Sequence, residues 1–372
     1  MYLEHLKLSD FKNYAAAELA FSEKINCFIG NNGAGKTNLL DAIYYLSFCK
    51  SYFNPLDQQN IRHGADLFAV HGQYRRNGTP DLVSVVQKKQ HKKSFRFNKK
   101  EYDRLADHIG KIPLVMISPY DRDLINEGSE VRRKFIDGVM SQFDPVYLDT
   151  LIQYNKILLQ RNTLLRQFAE NGQHDRSLVQ LWDENLASFG QVIYEKRKSF
   201  LETFIPLFQH YYAFVAGTAE KVNIRYESSL THTPMAQSLK ATYDRDRMLR
   251  YTSTGIHKDD LDFEINQYPL KKFGSQGQQK SFIIAIRLAQ FDFTRNIMGF
   301  KPILLFDDIF DKLDDQRVGS IIRLVGNDSF GQVFITDTQQ QRIQRLFHQS
   351  EIDHRIFSVE AGHVHPQPFI NS

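Results

Sequence analysis

The chain alternates between stretches whose apolar residues recur every second position and stretches where they recur every three to four. Tyr2–Leu8 alternates apolar and polar residues, which predicts a half-buried strand, and the apolar run Ile25–Ile29 predicts a fully buried one. Residues 65–75, 81–89 and 94–98 read as further strands, with Arg76-Asn77-Gly78 as the turn between the first two. Ile112–Ile117 is another apolar strand, closed by Ser118-Pro119. From Pro145 the period changes. Leu148, Leu151, Ile152, Leu158, Leu159 and Leu165 mark one stripe of an amphipathic helix. Asn171-Gly172 breaks it, and a second helical stretch runs from about Ser177 to His210, so an antiparallel helical hairpin is expected. The heptads are too few for an extended coiled coil, which makes this a short arm. Strand-like Val222–Tyr226 is followed by a polar stretch to Arg250. Beyond it, Leu261–Ile265 alternates like a strand, and Ser281–Phe293 is apolar nearly all round, like a buried helix. Ile303–Phe306 and Val333–Ile335 read as neighbouring buried strands.

Composition narrows the class. With 372 residues, 42% of them hydrophobic, the chain can bury a large core and should divide into two or three lobes. A net charge of +4 permits a nucleic-acid partner without requiring one. Cys27 and Cys49, the only cysteines, have apolar neighbours and read as free buried thiols in a reducing compartment. The N-terminal residues lack the charged leader and apolar core of a secretory signal, and no apolar run is long enough to span a bilayer. A soluble cytoplasmic protein with no membrane partner is therefore expected.

The chemistry begins at Gly30-Asn31-Asn32-Gly33-Ala34-Gly35-Lys36-Thr37, a complete G-x-x-x-x-G-K-[ST] phosphate-binding loop between the strand Ile25–Ile29 and a helical stretch Thr37–Phe48. Glycines let successive backbone N–H groups turn inward around phosphates, Lys36 reaches the outer phosphates and Thr37 offers a hydroxyl to Mg²⁺. ATP and Mg²⁺ are the expected cofactors. Ile303-Leu304-Leu305-Phe306 ends in Asp307-Asp308; on a strand beside the phosphate-loop strand, Asp307 would lie near Mg²⁺, and Asp308 could polarise an attacking water. Ser275, Gln276, Gly277 and Gln278 open the buried helix, a second helix N-terminus suited to a phosphate. One nucleotide already has its cradle at residues 30–37, so this turn is most simply explained as completing the site of another copy. The alternative is an ordinary helix cap.

Together these motifs resemble the ABC-type ATPase heads of the SMC superfamily, and more closely the RecF family of bacterial recombinational repair. Leu8-Ser9-Asp10-Phe11-Lys12-Asn13-Tyr14 is similar to the family's opening, and Ser118-Pro119 with Gly128 and Arg132-Arg133-Lys134-Phe135-Ile136-Asp137 is similar to its Ser-Pro segment. Tyr154-Asn155-Lys156-Ile157-Leu158 resembles its arm helix, and Gly255-Ile256-His257-Lys258-Asp259-Asp260 precedes the Ser275 signature, as in the family. Asp307-Asp308 stands as Walker B, and Asp311-Lys312-Leu313-Asp314 as the D-loop. The resemblance implies an α/β ABC-type ATPase head, a mixed sheet with a P-loop, plus a short helical arm lobe. Residues 1–144 would form the N-terminal part of the head, 145–250 the arm and 251–372 the C-terminal part. It also implies an ATP-dependent homodimer that binds DNA, single-stranded or at a single-strand–duplex junction, with RecR- and RecO-like partners, supporting recombinase loading and SOS induction. Ile256 stands where the family has Pro, Tyr120 where it has an acid, and Thr336-Asp337-Thr338 offers no switch histidine. Asp308 replaces the Glu usual in fast ABC ATPases, although RecF-like proteins tend to carry Asp there; its shorter reach and the missing histidine both imply slow, DNA-stimulated hydrolysis acting as a switch.

Lys88, Lys89, Lys92, Lys93, Arg96, Lys99, Lys100 and Arg104 fall close together, interleaved with His91, Phe95, Phe97 and Tyr102. On a hairpin this is either a cationic edge for DNA phosphates, with aromatic faces for bases, or a solvated edge whose lysines block aggregation. His257, Asp259 and Asp260 include metal-ligand types, but such close spacing in a loop more often serves local hydrogen bonds. Two other classes share the phosphate loop. One is the ATPase subunit of an ABC transporter, whose signature would lie nearer the loop. The other is a GTPase or phosphotransferase, to which Asn98-Lys99-Lys100-Glu101 bears a superficial likeness without the required Asp.

Overall fold

The computed structural model describes residues 1–172, 175–217, 220–308, 315–342 and 353–367. In chain order, the first elements are β1 (Tyr2–Phe11), β2 (Tyr14–Ala20), β3 (Ile25–Ile29), α1 (Lys36–Phe48), β4 (Leu67–Arg76), β5 (Thr79–Lys88), β6 (Ser94–Phe97), β7 (Lys100–Glu101) and β8 (Leu114–Ile117). Then come α2 (Asp123–Asn126), α3 (Ser129–Phe143), α4 (Pro145–Asn171), α5 (Arg176–Ala216), β9 (Val222–Glu227), α6 (Met235–Leu249), β10 (Asp260–Ile265), β11 (Tyr268–Pro269) and α7 (Leu270–Phe273). The last are α8 (Gln276–Met298), β12 (Ile303–Phe306), α9 (Asp315–Gly326), β13 (Val333–Asp337), β14 (His354–Glu360) and β15 (His363–Pro366).

Contacts divide the chain into two compact units, Met1–Asp121 with Ile286–Ser372, and Arg122–Ala285. The boundaries expected after residues 144 and 250 fall at helix ends: Asp144 caps α4, and Arg250 closes α6 in a left-handed conformation.

The first unit holds two sheets. One is antiparallel, in the order β2-β1-β4-β5-β6-β7. The other runs β15-β14-β3-β13-β12-β8, parallel throughout except for β15. The strands β3, β8, β12 and β13 are buried at every position, which explains why they read as continuous apolar runs rather than alternating ones. Between the sheets, Leu39, Ile43 and Leu46 of α1 join a core with Leu6 and Val70 from one sheet and Phe28 and Phe334 from the other. One expectation is corrected here. The Asp-Asp strand β12 is not beside the phosphate-loop strand β3, because β13 lies between them. In a parallel sheet sequence order does not set neighbour order, since a helical crossover can carry the chain past a strand.

The second unit contains the arm. Arg161 reaches Asp183, Tyr147 meets Arg197, and Asp144 pairs with Lys196, so α4 and α5 run in opposite directions, as a hairpin must. The polar stretch before Arg250 holds α6, whose buried face is only Met235, Ser238, Leu239, Tyr243 and Asp246. That face is too polar to be recognised by hydrophobic period alone. Asp246 anchors it by pairing with the fully buried Arg161 at 2.8 Å. His257, Asp259 and Asp260 are likewise absorbed locally. The His257 ring meets the Tyr154 hydroxyl at 2.7 Å and the Thr252 carbonyl at 3.0 Å, Asp259 pairs with Arg197, and Asp260 with Arg132. Among the described residues there is no cluster able to hold a metal ion in this way, and no helix is long and apolar enough to cross a membrane.

Candidate nucleotide site

The phosphate loop leaves β3 at Gly30 and enters α1 at Lys36. Two of its glycines are dictated by their surroundings. A Cβ on Gly30 would lie 2.2 Å from the Val359 carbonyl of β14. Gly35 has φ +116, and a Cβ there would lie 2.4 Å from Asn13 Nδ2 and 2.8 Å from the Tyr14 hydroxyl. Those two contacts reveal a support that periodicity could not. The β1–β2 turn clasps the loop: Asn13 Nδ2 donates to the Ala34 carbonyl at 3.1 Å, and the Tyr14 hydroxyl donates to the Gly35 carbonyl at 3.0 Å. Only the family-like opening Leu8–Tyr14 hinted at them.

Lys36 is buried, and its ammonium donates to the carbonyls of Gly30 at 2.8 Å and Asn31 at 3.0 Å. The charge is thus held across the mouth of the loop, where a phosphate chain would lie. A Lys36→Arg variant keeps the charge but replaces a compact ammonium with a planar fork that these two carbonyls do not fit. Nucleotide affinity is expected to fall at least about tenfold, ~1.4 kcal/mol, measured by titration with a fluorescent ATP analogue.

Asp307 lies at the end of β12, and β13 bridges the gap to the loop. Thr37 Oγ1 donates to Asp307 Oδ1 at 2.8 Å, and Thr336 Oγ1 of β13 donates to the same oxygen at 3.0 Å. The Thr336 hydroxyl also accepts the Asp308 amide at 2.9 Å, which holds Asp308 at φ +49. No ion pair reaches Asp307 among the described residues, and burial pushes its carboxyl up to about 6, against the lowering pull of the two threonine hydroxyls and Lys36. A buried carboxylate without a cationic partner, hydrogen-bonded to the P-loop threonine, fits a divalent cation. Thr37 and Asp307 are the residues that would hold Mg²⁺ here. The cation would neutralise developing phosphate charge; the protein's own share is the fixed Thr37–Asp307 pair and the adjacent Asp308. Both aspartates open onto a cleft of about 680 Å³, lined also by Lys12, Asn38, Phe53 and Tyr120. Tyr120, where an acid was expected, is exposed beside Phe53 with ring centres 5.5 Å apart.

The signature turn belongs to the second unit. Gln278 N–H donates to Ser275 Oγ at 3.2 Å, while Ser275 N–H donates to Gln278 Oε1 at 2.7 Å, a reciprocal capping box opening α8. Ser275, Gln276 and Gly277 are exposed, and Gln278 is half-buried with its amide on Glu220. The D-loop residues 311–314 lie outside the described residues.

On the basic hairpin, Lys88, Lys89, Lys92, Arg96, Lys99, Lys100 and Arg104 are exposed. Lys93 turns inward instead, 2.7 Å from Asp57, and donates to the Cys49 carbonyl at 2.6 Å with the Tyr45 ring beneath it. The aromatic residues do not form the expected outward stacking faces. Phe95 is buried with Tyr102 and His108 around it, and Phe97 packs against His108, because alternate positions of β6 face the core.

Across residues 2–363 the chain matches the family described as RecF/RecN/SMC N terminal domain. The DNA replication and repair protein RecF of Flavobacterium johnsoniae is 51% identical over 359 residues, covering 96% of this chain and 100% of that protein. The RecF of Phocaeicola vulgatus is 49% identical over 366 residues, with 98% of each chain covered. A solved recombination mediator protein RecF-ATPrS of the RecFOR pathway superposes with a TM-score of 0.89 at 28% identity, covering 99% of this chain and 98% of that one. The Smc head domain of Pyrococcus furiosus, with a TM-score of 0.58 at 16% identity over 98% and 96% of the two chains, shares the fold. The α/β head with a helical segment is therefore the SMC/RecF ATPase-head fold. Phosphate loop, Asp-Asp strand and signature turn stand on that fold in a chain matched to its relatives along almost its whole length, and the chain belongs to the RecF family of DNA replication and repair proteins.

Proposed function

We propose that this chain is an ATP-gated DNA-binding protein of recombinational repair and replication-fork maintenance. Two copies close over two ATP molecules, each held by Gly30–Thr37 of one copy and Ser275–Gln278 of the other. The observation that carries the nucleotide half of this reading is the 2.8 Å hydrogen bond between Thr37 and Asp307, which brings the P-loop and Walker B residues to one point. The likeness to RecF structures with ATP and ATPrS supports the same nucleotide. The exposed residues Ser275, Gln276 and Gly277 at the start of α8 support the dimer, because a helix N-terminus open to solvent can accept a phosphate from outside.

In this reading Mg²⁺ is held by Thr37 and Asp307, Lys36 stabilises charge on the outer phosphates, and Asp308 polarises the attacking water. Hydrolysis is slow and serves to open the clamp, since ATP favours the closed state only while intact. Residues 145–250 act as the arm between the two parts of the head, 1–144 and 251–372. The exposed lysines of the basic hairpin contact DNA, whereas Lys93 braces the hairpin from within. The protein works in the cytoplasm with RecR- and RecO-like partners, supporting recombinase loading and SOS induction. Relatives named for DNA replication and repair favour this over a transporter subunit or a guanine-nucleotide protein.

Light scattering with and without Mg²⁺-ATP tests the proposal. The mass is expected to double with ATP and to return to that of a monomer as the nucleotide is hydrolysed. A mass indifferent to nucleotide at micromolar protein would refute the gated dimer.

A further inference from the structure

The carbonyl of Ala34, inside the phosphate loop, receives two donors from distant parts of the chain. One is Asn13 Nδ2 at 3.1 Å, from the β1–β2 turn. The other is the Gly362 amide at 3.2 Å, from the β14–β15 turn, which lies in none of the nucleotide motifs. Register explains how that hairpin reaches the loop. Ser358 of β14 pairs with Ile29, the last residue of β3. β14 runs on to Glu360, so Val359 crowds Gly30 and the hairpin overhangs the loop. At ~3.3 Å per residue the overhang is about 7 Å. Glu360 pairs with His363 and closes the hairpin on Ala361 and Gly362, at φ +46 and +82. Two successive positive φ values make a type I′ turn, whose second position favours glycine. Glycine is needed there for a second reason: residue 362 is buried, and a Cβ on it would lie 2.7 Å from the main-chain oxygen of Asn13.

The consequence falls on the next peptide unit. A trans peptide is planar, with its C=O and N–H pointing in opposite directions. A carbonyl oxygen has two lone pairs, and donors from two different elements fix its direction where one would leave it free to swing. Holding the Ala34 carbonyl on the outer side of the loop therefore turns the Gly35 N–H towards the inner side, where phosphates lie. The Ala34 amide is already taken by the Asn31 carbonyl at 3.2 Å. Asn13 is itself fixed, because its Oδ1 accepts from Asn38 Nδ2 at 2.7 Å.

We propose that Gly362 is a positioning residue for the nucleotide: its amide, together with Asn13, aims the Gly35 N–H at the phosphate chain. The inference rests on the nucleotide reading above and gives the C-terminal hairpin a share in it. Gly362 serves the phosphates alone, because the peptide it orients belongs to the cradle. Its loss is therefore felt equally by a nucleotide and by a bare chain of phosphates.

The full-length chain carrying Gly362→Ala tests this, by titration with ATP and with inorganic tripolyphosphate. Gly78→Ala is the control. Gly78 has the same φ, +82, at the second position of the β4–β5 turn, but nothing lies within 4 Å of a Cβ there. Both variants thus carry the same backbone penalty, which their thermal midpoints report. Gly362→Ala is expected to bind ATP and tripolyphosphate at least about fivefold more weakly, by the same factor for each, since one amide donor to a charged phosphate is misaimed. Gly78→Ala should bind both as the wild type does. Glycine-labelled wild-type protein supplies a second measurement by NMR. Its Gly35 amide proton should move downfield with tripolyphosphate, and its Gly362 amide should exchange slowly with solvent. Wild-type affinity in Gly362→Ala, an equal loss in Gly78→Ala, or a loss confined to ATP would each overturn the positioning role. A fast-exchanging Gly362 amide would overturn it as well, even if the alanine variant failed to fold. Wild-type protein that binds neither ligand would overturn the nucleotide reading, and this role with it.

Discussion

Ser275→Arg is expected to bind ATP as tightly as the wild type and yet fail to dimerise with it. The phosphate loop, Asp307 and Thr336 all belong to the first unit, and the substitution leaves them untouched. At the start of α8 it removes the hydroxyl that accepts the Gln278 amide and puts a long cation at the positive end of a helix. Loss of the cap costs about 1 kcal/mol, which a chain of this size tolerates. The larger effect is on closure, because the exposed turn is where the other copy's nucleotide would be received. ATP-dependent dimerisation should weaken by at least about tenfold, ~1.4 kcal/mol, in light scattering. Ser275→Ala is the control, losing the cap without adding bulk or charge, and it should retain most of the dimer. If the Arg variant dimerised as the wild type does, the shared-site proposal would fail even though nucleotide binding stood.

Asp307→Asn should make the nucleotide-free protein more stable and the Mg²⁺-dependent activity vanish. Burial raises the Asp307 carboxyl from 3.8 to about 6, so the folded state binds this proton more tightly than the unfolded state does. Above pH 6 the ionised carboxylate therefore opposes folding. That penalty is relieved as pH falls through 6 towards 4, where the group is protonated in both states. A shift of about two units corresponds to roughly 2–3 kcal/mol at pH 7, which the neutral amide should recover as a higher unfolding midpoint. The same linkage predicts that Mg²⁺-dependent nucleotide binding by the wild type weakens as pH is lowered from 7 to 5, because the cation must displace the proton. In Asp307→Asn this pH dependence should disappear along with ATP turnover. A variant no more stable than the wild type would show that Asp307 finds a compensating partner in solution.

The parts of this site legible from sequence are those fixed by chain-local chemistry. Gly30–Thr37 declares itself because turning consecutive amides inward requires glycine at set spacings, and the apolar run before Asp307 declares a buried strand ending in an acid. The Asn13–Tyr14 clasp was visible only as a family-like opening. Nothing local says that this turn reaches the loop, and only the Gly35 contacts explain it. Thr336 was noted for the histidine it is not, whereas it ties Asp307 and Asp308 together across the sheet. α6 escaped notice because its buried face is half polar, and Lys93 looked like its basic neighbours although its ammonium faces Asp57.

By itself, the sequence determined the phosphate-loop strand and helix, the helical hairpin and the buried helix α8, that residues 30–37 carry a phosphate-loop pattern, and that an acid pair ends a buried strand. These follow from side-chain period and backbone freedom, both of which act over a few residues. Only the tertiary structure decided that β13 separates β3 from β12, that Thr37 and Asp307 meet through that arrangement, and that the β14–β15 turn meets the phosphate loop at Ala34. Those outcomes depend on strand order and register between segments distant in the chain, where packing of whole layers selects the pairing and no local pattern records it.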